Sequence, residues 1–449
     1  MGAASLGVPV VLVERGPMEG QGRRASARIG SAALLAAAAR AQAVRTAKNL
    51  GINANLSKVD FPAVRAHVER AVSALAPNAS AERLQALGIR VIRAEGSFLD
   101  PRTLQAGETA IRARRFVVAT GTVPDLPDID GLDPASCLTP ETILTLSERP
   151  DRLAILGAEP EALELAQAFR RLGSEVALIA PKAPLSDEDP EFAEEVLAAL
   201  KREGIVFHAP VALQRAEPTE KGIRLFLEGE NGTRNLTASH VLATAHQPDV
   251  AGLGLDRAGI QFGADGIAVN SSLRTANRRV YAVGAVRGGP HAAAQEAGVA
   301  LRNLLFRVPA RLRPEVLPRA LRTDPELAHV GLTEAEARQT AGTISVFRWP
   351  YAENERAQAD GSTTGHIRIV TDRAGRTLGV SIVGAGAAEM ILAWAGPVAR
   401  KAPLAEMTDL APSYPALGDI GRAAALGLHV RGLTKPGVRR IMSLLRKLG

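Results

Sequence analysis

DRLAILGAEPEALELAQAFRRLGSEVALIAP, residues 151–181, reads as strand, glycine turn, helix and strand. Residues 153–156 form a short apolar run, and Gly157 turns the chain. Residues 162–172 are rich in helix formers, and Gly173 stops the helix ahead of the apolar run 176–179. This order predicts a βαβ unit, the building block of dinucleotide-binding folds.

Further out, the pattern repeats. AASLGVPVVLVERG, 3–16, lines up with FRRLGSEVALIAPK, 169–182, pairing Leu6 with Leu172 and Gly7 with Gly173. The first residues therefore read as the second half of a βαβ unit, with the expectation that its first strand and glycine loop are missing. A second echo pairs FVVATGTVPDLPDIDGL, 116–132, with HVLATAHQPDVAGLGL, 240–255. In each, an apolar strand runs into a small-residue turn and then Pro-Asp. Two related dinucleotide-binding folds in one chain explain both echoes. After a Pro- and Arg-rich, linker-like stretch at 307–319, strand patterns at 344–347, 366–370 and 377–383 alternate with helices and predict a separate α+β domain.

The bulk properties exclude several function classes. With 449 residues, 46% hydrophobic and 22% charged, the chain has room for two or three cores and no uninterrupted apolar run of membrane-spanning length. The apolar start lacks a basic segment ahead of it, and Glu14 and Arg15 close the run without a small-residue cleavage site, so a cytoplasmic protein is expected. The charge of +7 is dispersed and aromatics are only 3%, which argues against nucleic-acid binding. The last residues, KPGVRRIMSLLRKLG, place Val438, Ile441, Leu444, Leu445 and Leu448 on one helical face between basic residues. That helix is expected to pack on its own protein rather than on a membrane. A single cysteine, Cys137, rules out any mechanism that needs a cysteine pair within one chain.

Taken together, the chain resembles the class I pyridine nucleotide-disulfide oxidoreductases, the flavoprotein family of dihydrolipoamide dehydrogenase and mercuric reductase. The most specific pieces are ARRFVVATGTVPDLPDIDGL (113–132), LTPETILTL (138–146), the βαβ unit, RRVYAVGAV (278–286) and TDPELAHVGLTEAEA (323–337). FRWPYAENERAQADG (347–361) and PSYPALGDIGRAA (412–424) point to a mercuric-reductase-like branch. The resemblance implies an α/β chain with two Rossmann-like dinucleotide-binding domains and a C-terminal α+β dimerisation domain. The FAD-type domain would take 1–124 and 250–312, the NAD(P)-type domain 125–249, and the domain forming a homodimer 313–449. FAD and NAD(P) are the implied cofactors. Electrons would pass from nicotinamide to flavin to a CxxxxC disulfide, with a histidine of the partner chain as acid and base.

Carried over position by position, the family's cofactor contacts fall on Glu14 (FAD ribose), Ala119, Thr120 and Gly121, Gly157 and Ala162 in the second glycine turn, Glu164 near nicotinamide and flavin, and Gly284-Ala285. The departures are as informative. The cysteine positions hold Gly22 and Ala27 counted from Met18, or Arg23 and Arg28 counted from the alanine run, and the flavin lysine becomes Ser31 or Ala32. Neither count leaves a thiolate nucleophile. The ribitol-binding aspartate is replaced by Ala285, and His291 stands in the shortened segment that follows. Glu159 takes the place of the second glycine of GxGxxG, bringing a side chain and a negative charge toward pyrophosphate. At roughly 4 Å such a like-charge contact costs about 1 kcal/mol in water and several times more near a protein surface. The strand that should end in an acid for the NAD ribose ends in Ala180-Pro181-Lys182, and the partner histidine falls at Pro412-Ser413. No catalytic residue and no metal ligand is assigned. The expectation is a degenerate copy that has lost dithiol chemistry and much of its cofactor binding. The alternative is an active enzyme reducing an acceptor directly from flavin.

Overall fold

The computed structural model describes the chain outside residues 17, 19–22, 231, 288–292, 307, 434–435 and 447–449; for 23–25, 429–433 and 436–440 only the backbone is described. Eight short parallel strands carry the two nucleotide folds. In chain order they are β1 (Val10–Glu14), β2 (Ile89–Arg93), β3 (Phe116–Val118), β4 (Arg152–Leu156), β5 (Glu175–Ile179), β6 (Val206–His208), β7 (His240–Ala243) and β8 (Val280–Ala282). Valine, isoleucine and leucine dominate most of these runs, as expected of strands covered on both faces.

In the first fold β1 pairs with β2, Val10 opposite Ile89, and β3 pairs with β8, Phe116 opposite Val280. A long helix, α1 (Arg23–Thr46), follows β1. In the second fold the order is β6-β5-β4-β7, with β4 hydrogen-bonded on both edges. The crossover helix α2 (Pro160–Leu172) buries Leu163, Leu165, Ala166, Phe169 and Leu172. Gly173 ends it in the left-handed region (φ 107°), where its N–H reaches Arg170 and that of Ser174 reaches Phe169, the closure that spares the last carbonyls. A three-stranded antiparallel sheet, Ala212–Thr219, Gly222–Gly229 and Gly232–Ala238, covers the second fold, and its Leu225 and Leu227 share a core with Ala154, Ile179 and Val241.

The two folds differ at their centres. By the sequence repeat β1 corresponds to β5 and β3 to β7, the strands that flank β4. Among the described residues no strand joins β1 to β3, so the first fold's sheet consists of two separate parallel pairs. The side chains register the difference: Val117 is 48% exposed where its counterpart Val241 is 1% exposed.

A second compact unit contains residues Leu185–Glu203 and Pro314–Gly449. Its helix α3 (Pro190–Arg202) and an antiparallel sheet ordered β9-β10-β13-β12-β11 belong together, the strands being β9 (Arg319–Leu321), β10 (Glu326–Gly331), β11 (Ile344–Pro350), β12 (His366–Asp372) and β13 (Thr377–Gly384). The helices α4 (Ala387–Arg400) and α5 (Asp419–Leu433) supply Ile391, Trp394, Ile420 and Ala424 to a core with Val330, Ile367, Ile369, Val380 and Ile382. An ionic seam ties α3 to β12. Arg368, 5% exposed at its side chain, pairs with Asp189 and Glu191 and lies 4.8 Å over the Phe192 ring; His366 Nδ1 is 2.9 Å from Glu195.

The boundary between the two units, Arg313/Pro314, falls in the linker-like stretch, part of which is tied down. Ala310 and Leu312 are buried, Leu312 N–H donates to Ser271, and the Asn303 side chain both donates to and accepts from Ala310. The last helix, α6 (Pro436–Leu445), forms, and its Ile441, Leu444 and Leu445 are exposed rather than packed among the described residues. No described helix is long and apolar enough to cross a membrane.

Among the described residues β1 and β3 each have a partner on one edge alone, so the first fold is expected to be the weaker one. Amide exchange in 10–14 and 116–118 is expected to be about tenfold or more faster than in 152–156 and 240–243. Limited proteolysis should cut within 1–120 before it cuts the C-terminal unit. Equal resistance in both places would show the other edges of β1 and β3 to be covered in solution.

Candidate functional site

Ligands of parallel α/β sheets bind beyond the carboxyl ends of the strands, where turns expose backbone N–H groups. In the first fold three such turns follow β1, β3 and β8. Glu14 ends β1, and its carboxylate accepts from the N–H of Gly16 at 2.9 Å, closing its own turn. After β3, Ala119 and Thr120 are exposed and Gly121 adopts φ 78° with nothing within 4 Å of where a Cβ would stand. Asp249 binds these two turns together. Its carboxylate pairs with Arg15, its carbonyl accepts from the Thr120 hydroxyl at 2.6 Å, and its N–H donates to Gly121 at 3.0 Å. Neither Arg15 nor Asp249 stands out in the sequence; the repeated Pro-Asp was the available signal.

At the turn after β8, Gly284 has φ 80° and its N–H donates at 2.6 Å to Glu296, which is 1% exposed and also accepts from Arg287 at 3.0 Å. The carboxylate at this turn thus comes from the helix Ala293–Leu301, beneath the turn, while Ala285 offers only a half-buried methyl. His291 and Gly22 lie outside the described residues.

Of the positions that the two counts give to the cysteines, Arg23, Ala27 and Arg28 are helical. Ala27 is buried and Arg28 half-buried on α1; Ser31 is 5% exposed with its hydroxyl lacking a protein partner among the described residues, and Ala32 is exposed. Cys137 lies in the second fold's core with Leu132, Ala154 and Leu225. Burial, and after it the Asp133 carboxylate, push its thiol above the ordinary range, which keeps it protonated and unreactive.

In the second fold Gly157 (φ 140°) donates to Ile179 at 3.0 Å, fastening the turn to β5. Ala162 is fully buried, consistent with close helix–strand packing at the third glycine position. Glu164 is half-buried on α2, Lys182 is exposed past the end of β5, and Pro412 and Ser413 are exposed. Glu159, the N-cap of α2, hydrogen-bonds Thr244 at 2.8 Å. Just beyond, His246 bonds the Thr244 carbonyl through Nδ1 at 2.8 Å and faces Glu141 across 3.5 Å with a side chain 6% exposed. Burial raises the Glu141 pKa, but hydrogen bonds from His246, from Thr139 and from its own backbone outweigh it and hold the carboxyl at about 2.

The residues fit FAD at one end and fail it at the other. Glu14 stands at the strand end where an acid would meet a ribose, and space lies over Gly121. At the turn after β8 the Gly284 N–H is already taken and Ala285 has no carboxylate. In the second fold the Glu159 carboxylate stands beside Gly157, at the second glycine position of the turn.

Two nucleotide folds followed by an antiparallel sheet domain define the scaffold of a flavin- and nicotinamide-linked oxidoreductase. Residues 1–335 match the family model described as pyridine nucleotide-disulphide oxidoreductase, and residues 317–425 match its dimerisation domain. The chain is 32% identical over 403 residues to a mercuric reductase of Streptomyces lividans, covering 87% of this chain and 85% of that one. It is 28% identical over 401 residues to a dihydrolipoyl dehydrogenase of Staphylococcus aureus, with the same coverage, 87% and 85%. Its fold is similar to that of the Cu(II) complex of the HOCl-induced flavoprotein disulfide reductase RclA from Escherichia coli, with TM-score 0.82, 22% identity and coverage of 94% and 95%. The chain belongs to the class I pyridine nucleotide-disulfide oxidoreductase family, whose members depend on FAD and NAD(P).

The depressed Glu141 carboxyl makes stability pH-dependent. Its contribution is complete above the ordinary carboxylate pKa and is lost as pH falls from there through about 2. Glu141→Gln should therefore cost about 2 kcal/mol at pH 7 and less than half of that at pH 3, read from urea midpoints. An equal cost at both pH values would remove the ionised carboxylate from the account.

Proposed function

We propose that this chain is a family member that no longer passes electrons through a dithiol and that holds FAD far more weakly than a working flavoenzyme. One observation carries the reading. The only cysteine of the sequence is buried in the core of the second fold with its thiol form favoured, while the segment that would present a thiolate to flavin holds no cysteine and its described part is helix bearing Ala27, Arg28 and Ser31. No side chain there can attack a disulfide or bind a soft metal ion. The turn at Gly284-Ala285 supports the weak-flavin part, since its donor and its acid are both committed inside the protein. What remains is a binding scaffold, and we assign it a homodimeric form through the 313–449 domain, in keeping with the dimerisation-domain match.

The test is the visible absorbance of the purified protein before and after incubation with excess FAD and desalting. No retained flavin band is expected, together with a dimeric mass in sedimentation equilibrium and no rapidly titrating thiol until denaturant is added. A retained flavin band bleached by NADH or NADPH would overturn the proposal and make the protein a direct flavin-to-acceptor reductase.

A further inference from the structure

We propose that Glu159 is a built-in anion that closes the dinucleotide site of the second fold, with Thr244 as its latch. The inference rests on reading that fold as NAD(P)-type. Glu159 caps α2 by position, with extended backbone (φ −65°, ψ 160°), yet its carboxylate accepts no N–H from the helix it precedes. An N-cap aspartate ordinarily does so; the longer glutamate is free to reach elsewhere. Here it turns back over the end of β4. One carboxylate oxygen lies 2.8 Å from the Thr244 hydroxyl, and that hydroxyl also lies 3.0 Å from the Leu156 carbonyl oxygen, so its single proton bridges two acceptors. Thr244 is 3% exposed, which fixes the latch in place.

The carboxylate and the hydroxyl crowd Gly157 so closely that a Cβ built on that glycine would collide with both. This is the space through which a pyrophosphate would approach the start of the helix. Glu159 fills it with a negative charge that the positive end of the α2 dipole stabilises, as it would stabilise a phosphate. The remaining donors are few: Pro160 has no N–H, and the N–H groups of Ala162 and Leu163 are spent on the Glu159 carbonyl. An incoming dinucleotide must therefore break the Thr244 contact and meet a like charge.

The experiment is calorimetric titration of the full chain, wild type, Glu159→Gly and Glu159→Gln, with NADH, NADPH and inorganic pyrophosphate. Removing the like charge is expected to tighten binding of the dinucleotides and of pyrophosphate about tenfold to a hundredfold in Glu159→Gly. Glu159→Gln, which keeps the shape and loses the charge, should gain part of that, and Thr244→Ala a smaller part. Glu159→Gln also keeps the test alive if the glycine variant does not fold. Tighter pyrophosphate without tighter NADH or NADPH would leave the plug standing and remove the NAD(P)-type reading. Unchanged affinity for all three ligands, in both Glu159 variants, would overturn the plug itself.

Discussion

The second nucleotide fold depends on β4 being hydrogen-bonded on both edges. A strand so placed has its backbone satisfied by its neighbours and its side chains covered on both faces, so Leu153, Ala154 and Ile155 are almost wholly buried. From that fixed strand the turn at Gly157 launches α2, and the helix returns the chain to β5. The first fold repeats the flanking strands without a bonded strand between them among the described residues. Its β1 and β3 are held instead by outer partners and by the Arg15–Asp249–Thr120 contacts at their ends. Polar contacts at strand ends do less than a central strand, because they fix positions without covering apolar faces.

Three turns at strand ends share one chemical habit. Glu14 accepts from Gly16, Glu296 from Gly284 and Arg287, and Glu159 from Thr244. In each case a carboxylate at or beneath the turn is satisfied by the protein itself. A turn whose charges are already paired loses little without a ligand and gains little from one. This common feature is independent of the thiol positions.

The C-terminal unit is built differently. Its antiparallel sheet is clamped by α4 and α5 on a large apolar core, while the α3 side carries the Arg368 and His366 seam with Asp189, Glu191 and Glu195. Arg368 and His366 are the buried members of this seam, while Glu191 and Glu195 stay partly open to water, so solvent screens part of the attraction. The seam holds α3, which follows β5 in the chain, within the C-terminal unit.

Periodicity and glycine placement determined the βαβ unit, the repeat of the nucleotide fold and the sheet strands read at 344–347, 366–370 and 377–383, which the structure extends by one to three residues, because backbone hydrogen bonding and side-chain alternation are local properties. The absence of a cysteine pair was equally plain, since a residue type that is not present needs no geometry. The stretch 307–319 reads as a linker, and the boundary between the two compact units falls within it; that Ala310 and Leu312 are buried, with Asn303 and Ser271 as hydrogen-bond partners, is a matter of packing that its proline and arginine content does not reveal. Asp249, Glu296 and Thr244 were silent for a related reason. Asp249 acts across 234 residues on Arg15, and Thr244 across 85 on Glu159; Glu296 is near in sequence, but only packing turns its carboxylate under Gly284. Which carboxylate meets which turn was decided by tertiary structure alone, because a hydrogen bond depends on where two atoms arrive and not on where their residues stand in the chain.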